Sequence, residues 1–331
     1  MDKTKFLKKN NIDVNSKLII GIGDSFCAGT GSEPIERWEK NDWDVVKMRS
    51  DGEGISEAYE NSFINLLSKK YLTDFISINL GMSGKGNIFA IRELFLNPTL
   101  NLEITKEKYV IFVVSSFERY DFIKNISTMS NHSTTLWPYD IKEVNKIGYG
   151  NLLDENGNSI YNERFTISEF ILNFYNLINW CELHNAKLFF ISAFTQNLNM
   201  YHFLDVITQE EYNEQDLIVA SKLISKLPWH RQIKPMGFDC ITDMLLHLEK
   251  REDLIENGKF RDFKIDKISE YGYMSKCQHP TKKGQDLLCD IIYEHILNYN
   301  NIDVVDNEKI CLEYLQKKYN KEYNLKYNET I

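Results

Sequence analysis

Lys17-Leu18-Ile19-Ile20-Gly21-Ile22-Gly23-Asp24-Ser25-Phe26-Cys27-Ala28-Gly29 is the stretch whose reading decides the fold. Its first half is an apolar run of strand length, and its second half is rich in residues that turn the chain. A hydroxyl therefore stands where a buried strand gives way to a tight turn. A serine in such a place is either a turn cap or a nucleophile. It becomes a nucleophile only beside a base that takes its proton and near donors that stabilise the oxyanion it creates. The rest of the chain has to supply both.

Outward from this strand, hydrophobic periodicity alternates between the two regular structures. Glu57–Tyr71 places Tyr59, Phe63, Leu66 and Leu67 on one helical face. Asp74–Leu80 alternates as a second strand and runs into Gly81-Met82-Ser83-Gly84-Lys85-Gly86-Asn87, a glycine-rich turn in which backbone approaches something closely. Asn87 is placed to cap a helix through Ile88, Ile91, Leu94 and Phe95 that Pro98 stops. Tyr109–Val114 is a continuous apolar run, as expected of a strand covered on both faces. Thr166–His184 reads as an amphipathic helix and Lys187–Phe194 as a fourth strand. The order predicts an α/β protein with an open, mostly parallel sheet and helices on both faces.

Four segments interrupt that rhythm. Residues 32–56 lack periodicity and read as a loop inserted over the first turn. Residues 120–165 are polar, with an exposed turn at Asn156-Gly157-Asn158. Residues 195–270, broken by Pro228 and Pro235, read as an insertion packed on the sheet as a lid, with helical spacing at Gln209–Leu227 and Asp243–Ile255. Thr281–Leu297 predicts a helix that starts just after His279-Pro280, and the tail 300–331 contains one more helical stretch around Lys309–Tyr319.

Composition narrows the functional classes. With 331 residues and 43% apolar content, the chain has ample material for a sizeable core. The net charge of -9 is dispersed among mixed lysines, arginines and acids, which offers no basic face for a phosphate backbone and argues against nucleic acid as a partner. The charged amino terminus lacks a signal-peptide core and the longest apolar runs are strand-sized, so a cytoplasmic protein without a membrane partner is expected. The six cysteines form no CxxC pair and read as reduced, small apolar residues. The seven histidines include no HxH or HExxH, so no metal site is expected. Gly21-Ile22-Gly23 is not a dinucleotide turn, because that motif needs a third glycine where Phe26 stands.

In an open parallel sheet, ligands bind outside the carboxyl ends of the strands. There the first strand presents Ser25, the second the glycine backbone at residues 81–86, and the third Ser115, Ser116 and Arg119. Pro280 holds His279 extended at a loop edge.

The blocks GDSFCAG, NLGMSGKGN, SSFERYD after a strand, and HPTKKGQ near the carboxyl end resemble, in order and spacing, those of the SGNH/GDSL hydrolase family. The resemblance covers residues 17–130 and 275–298. It implies a three-layer α/β/α flavodoxin-like domain spanning 1–299, with insertions at about 32–56, 120–165 and 195–270, and a serine mechanism acting on esters, thioesters or sugar acetyl groups. Carried over by position, Ser25 is the nucleophile and one oxyanion donor, Gly84 the second donor, and His279 the general base. Where the family has an oxyanion asparagine, Ser116 or Arg119 stands in for it, and a missing donor costs on the order of a hundredfold in rate. Asn87 and Arg119 are further candidates for substrate contact. Lys276 occupies the place of the family's orienting aspartate, leaving a Ser–His dyad or an acid borrowed from Asp239, Asp243 or Asp262.

The implied function is hydrolysis of an acyl ester, an O-acetyl group on a carbohydrate being favoured by Trp38, Trp43 and Trp137 in the cleft insertions, with no metal or organic cofactor. The alternatives are acyl transfer to an acceptor and a degenerate hydrolase fold that binds a glycan or a protein partner without turnover.

Overall fold

The computed structural model describes residues 15–32, 57–82, 85–96, 107–117, 120–123, 133–136, 163–194, 198–208, 214–252, 254, 271–275, 278–299 and 306–319. The loop at 32–56 beyond Ser32 and the turn at 156–158 lie outside these residues.

Strands β1 (Lys17–Ile22), β2 (Phe75–Asn79), β3 (Glu107–Val114) and β6 (Ala186–Ser192) form a four-stranded parallel sheet in the order β2-β1-β3-β6. The run Tyr109–Val114, read as a strand covered on both faces, is so covered in β3, and β1 and β6 are covered likewise. Leu18, Ile20, Ile22, Val110, Phe112, Val114, Leu188 and Phe190 point into one core, and Ile19, Ile111, Val113, Phe189 and Ile191 into the other. This period-2 partition leaves no strand face for water, which is why the runs show no polar alternation.

The first core is closed by α4 (Asn87–Leu96), α5 (Glu163–Leu183), α6 (Met200–Ile207), α7 (Glu214–Ser225) and α10 (Asn307–Tyr319), through Ile91, Phe174, Phe203, Ile224 and Leu315 among others. The second is closed by α3 (Phe63–Lys70), α8 (Ile241–Leu248) and α9 (Lys282–Asn298), through Phe63, Leu67, Met244, Leu288 and Ile292. The result is a three-layer α/β/α fold. The connection β1 to β2 runs over one face, and β2 to β3 crosses back over the other. The strand order therefore reverses between β1 and β3, which opens a crevice at their carboxyl ends.

Three local features were not evident in the sequence. The helix expected over 57–71 is two, α2 (Glu57–Glu60) and α3, because the Ser62 hydroxyl takes the Asn65 N–H and caps the second. Within 120–165, β4 (Tyr120–Ile123) and β5 (Ser133–Leu136) pair antiparallel as a separate ribbon. Beyond β6, Gln232 and Cys240 pair in parallel with Phe190 and Ser192, a fifth edge segment broken by the 3-10 turn Pro235–Gly237. Proline has no N–H for a ladder, and its place in this edge limits the pairing to isolated bridges. Residues 198–208 and 214–248, in the segment read as an insertion, thus supply sheet-edge pairing and covering helices.

Burial pushes the thiols of Cys181, Cys289 and Cys311 up to about 12, so they are neutral core residues. No helix among the described residues is long and apolar enough to cross a membrane.

At the carboxyl end of α9, His295 packs edge-on against Phe189, its Nε2 buried with no hydrogen-bond partner among the described residues. Burial lowers its pKa below the ordinary 6.5. A histidine that resists protonation in the folded state but accepts it when unfolded costs nothing above pH 6.5 and destabilises the fold as the pH drops below that value. Thermal melts from about pH 8 to about pH 5 are expected to show a falling Tm whose slope is reduced in His295→Leu. Parallel curves for the two proteins would contradict this.

Candidate functional site

The site begins with the way β1 ends. Asp24 leaves the strand as the N-cap of α1 (Ser25–Ala28), its carboxylate accepting the Phe26 N–H at 3.0 Å, and the helix stops at Gly29. Ser25 is thereby fixed as the first helical residue, 4% exposed, and its own N–H belongs to the first turn, which has no intrahelical acceptor. Cap and hydroxyl are adjacent residues here, so the turn-capping role falls to Asp24 and leaves the Ser25 side chain available.

The three strand-end turns are stitched together by buried hydrogen bonds. The other Asp24 oxygen accepts from Ser115 Oγ at 2.9 Å, joining the ends of β1 and β3. Asn87, at the start of α4, accepts the Ser115 N–H at 2.7 Å and donates to the Ser115 carbonyl at 3.0 Å. Asn79, the last residue of β2, donates to the Cys27 carbonyl at 2.8 Å and to Ser62 Oγ at 2.9 Å, and accepts the Gly81 N–H at 2.9 Å. Gly81 is a glycine for space, since a Cβ there would lie 2.7 Å from the Ala28 nitrogen and from Cys27 Cβ. The second turn can press against α1 only without a side chain.

From 254 residues away, His279 brings its imidazole to this point, with Nε2 at 2.6 Å from Ser25 Oγ. The ring lies against Phe26 at a centroid distance of 4.9 Å, and Phe194 packs edge-on to Phe26 at 5.1 Å. The histidine lies in the loop closed by the isolated antiparallel bridge Met274–Pro280, just ahead of α9. Thr281 caps that helix by accepting the Gly284 N–H at 3.3 Å. Gly31, in the turn after α1, meets the loop from below. A Cβ on it would lie 2.8 Å from His279 Cβ and from Ser275 Oγ, and its φ is +94°.

Buried Gln285 links α9 to the serine side. It donates to the Phe26 carbonyl at 3.3 Å and accepts the Phe63 N–H at 2.9 Å. Gln285→Leu leaves the buried Phe63 N–H without its acceptor, at a cost of about 1–3 kcal/mol, while the Phe26 carbonyl keeps the Gly29 N–H at 3.3 Å. Urea denaturation is expected to show a lower midpoint at unchanged slope. An unchanged midpoint would remove Gln285 from the scaffold.

Of the residues read from the sequence, Ser25 and His279 are brought into hydrogen-bond contact. Ser116 is buried directly after Ser115 at the end of β3. Asn87, read as a candidate substrate contact, is buried and its carboxamide is engaged by the Ser115 backbone, so it acts as a clamp between turns. Asp239, a candidate acid, pairs instead with Lys234 at 2.8 Å on the surface. Asp243 is buried in the first turn of α8. Gly84, Arg119, Asp262, Lys276, Trp38, Trp43 and Trp137 lie outside the described residues.

The sequence reading missed Gln285, Gly31, Asn79, Ser275 and Glu249. Gln285 had a signal, a polar residue on the apolar face of α9. The others look like ordinary turn or surface residues until the chain is folded. No group of three or more His, Cys, Asp or Glu among the described residues could hold a metal.

No family model matches the chain, and no curated protein does. Among solved structures the chain is similar to an acetyl xylan esterase, at 13% identity over 85% of this chain and 99% of that one, with a TM-score of 0.33. At that distance the geometry of the site itself carries the functional reading.

Proposed function

We propose that this protein is a serine hydrolase that cleaves an acyl ester, an O-acetyl group on a carbohydrate being the favoured substrate class. The observation that carries the reading is the 2.6 Å contact between His279 Nε2 and Ser25 Oγ at the carboxyl end of the sheet. With Nε2 unprotonated, the imidazole accepts the Ser25 proton as Oγ attacks the carbonyl carbon. The negative charge moves onto the carbonyl oxygen, where the N–H groups of Ser25 and Gly84 receive it, with Ser116 as a third donor. The imidazolium then returns its proton to the departing alkoxide, leaving acyl-Ser25. Water, deprotonated by the same nitrogen, attacks the acyl carbon and releases the carboxylic acid.

Phe26 and Phe194 make the surroundings of the reacting pair apolar, which strengthens hydrogen bonds to developing charge. Hydrolysis of p-nitrophenyl acetate together with covalent labelling by a fluorophosphonate probe tests the proposal. Wild type is expected to label at Ser25 and to turn over; a wild type that does neither faster than Ser25→Ala overturns it.

A further inference from the structure

Glu249, the residue after α8, is 8% exposed and its carboxylate faces the backbone that leads into the histidine loop. Oε1 accepts the N–H groups of Tyr273 at 2.6 Å and Met274 at 3.1 Å, and Oε2 accepts that of Tyr271 at 3.2 Å. A buried carboxylate is costly without such partners, and charge-assisted bonds to backbone are short and directional. These bonds fix residues 271–274 relative to α8, over 22 to 25 positions of sequence.

The next residue, Ser275, closes on the histidine from both sides of its backbone. Its Oγ accepts the His279 N–H at 3.2 Å and donates to the His279 carbonyl at 2.9 Å, and its own N–H donates to the same carbonyl at 2.8 Å. The ring of contacts holds Gln278 at φ +65°, a left-handed conformation that a non-glycine residue keeps only under constraint, at a cost of about 1–2 kcal/mol. The segment is thus held, and what it presents to the nucleophile is the His279 ring.

We propose that Glu249 is a positioning residue for the general base: through residues 271–274 and Ser275 it fixes His279 Nε2 at hydrogen-bond distance from Ser25 Oγ. This rests on the hydrolase reading above for its kinetic consequence, though not for its geometry. Displacing a reacting group by about 1 Å lowers rates about a hundredfold while leaving substrate contacts in place.

The test uses the full chain carrying Glu249→Gln, Ser275→Ala or both. Glutamine is nearly isosteric, but its Nε2 would face the Tyr271 N–H donor to donor. Circular dichroism is expected to show folded proteins. kcat for p-nitrophenyl acetate should fall about tenfold or more with KM within about twofold, and the double variant should be no worse than the more affected single one. The imidazole 1H–15N signals of His279, assigned by their loss in His279→Gln, should move in both single variants. A folded Glu249→Gln protein with kcat within twofold of wild type and unmoved His279 signals overturns the proposal. If Glu249→Gln does not fold, Ser275→Ala decides in the same way. If wild type fails the labelling test, the hydrolase reading falls by itself, and the His279 signals still decide the positioning role: unmoved signals in both variants reject it.

Discussion

Replacing His279 with alanine is expected to lower kcat/KM for an activated acetyl ester by about 10⁴-fold, and Ser25→Ala to lower it by a similar factor. The reason is the 2.6 Å contact: a serine hydroxyl is a weak nucleophile, and in the proposed mechanism its activation depends on one nitrogen that takes its proton during attack. A 10⁴-fold loss corresponds to about 5.5 kcal/mol of transition-state stabilisation. With the two groups acting as the one unit proposed, the double variant should be no slower than either single one, and the residual rate should reflect oxyanion donors and substrate binding. Ser25→Ala should also abolish fluorophosphonate labelling, whereas His279→Ala should slow it without preventing the probe from reaching the hydroxyl. Additive losses in the double variant would show that serine and histidine act independently and would remove the nucleophile–base pairing from the mechanism.

Gly31→Ala is expected to lower kcat about a hundredfold, from a residue that contributes no functional group. At φ +94° a side chain is strained, and alanine there costs about 1–2 kcal/mol before any contact is counted. The new Cβ would also sit 2.8 Å from His279 Cβ and 3.1 Å from the Pro280 carbonyl oxygen. Neither neighbour is the loose end of a flexible side chain, so the loop itself must shift, and Nε2 shifts with it. Loss of rate with KM nearly unchanged, in a protein whose melting temperature falls by only a few degrees, separates displacement of the base from unfolding. A Gly31→Ala enzyme with wild-type kcat would show that the loop absorbs the methyl group without moving the imidazole.

How legible these parts were in the sequence follows from the range of the interactions that make them. The sheet was readable because burial on both faces writes a local signature, the unbroken runs Leu18–Ile20 and Val110–Val114. Ser25 and His279 were readable because each stands in a short block with its own turn chemistry, GDS after a strand and HPT before a helix. Glu57–Tyr71 misled as a single helix because its apolar spacing continues across Ser62, and only the capping bond to the Asn65 N–H shows the break. Asn87 read as a substrate contact because a polar side chain in a glycine-rich turn has no visible partner until Ser115 is brought beside it. Asp239 read as a spare acid for the same reason, its lysine being five positions away on a turn whose shape no local pattern gives.

What the sequence by itself determined is the layer architecture and the two side chains proposed to react, since period-2 burial and strand-to-turn transitions are local properties. Only the tertiary structure decided that those side chains meet. The Ser25–His279 contact spans 254 residues and depends on Gly31 leaving room, on Gln285 joining α9 to Phe26, and on Glu249 gripping the backbone ahead of Ser275. Each of these is a matter of distance between chain segments that are remote in sequence. A buried carboxylate and a missing Cβ acquire their meaning only from what the fold places within about 3 Å of them.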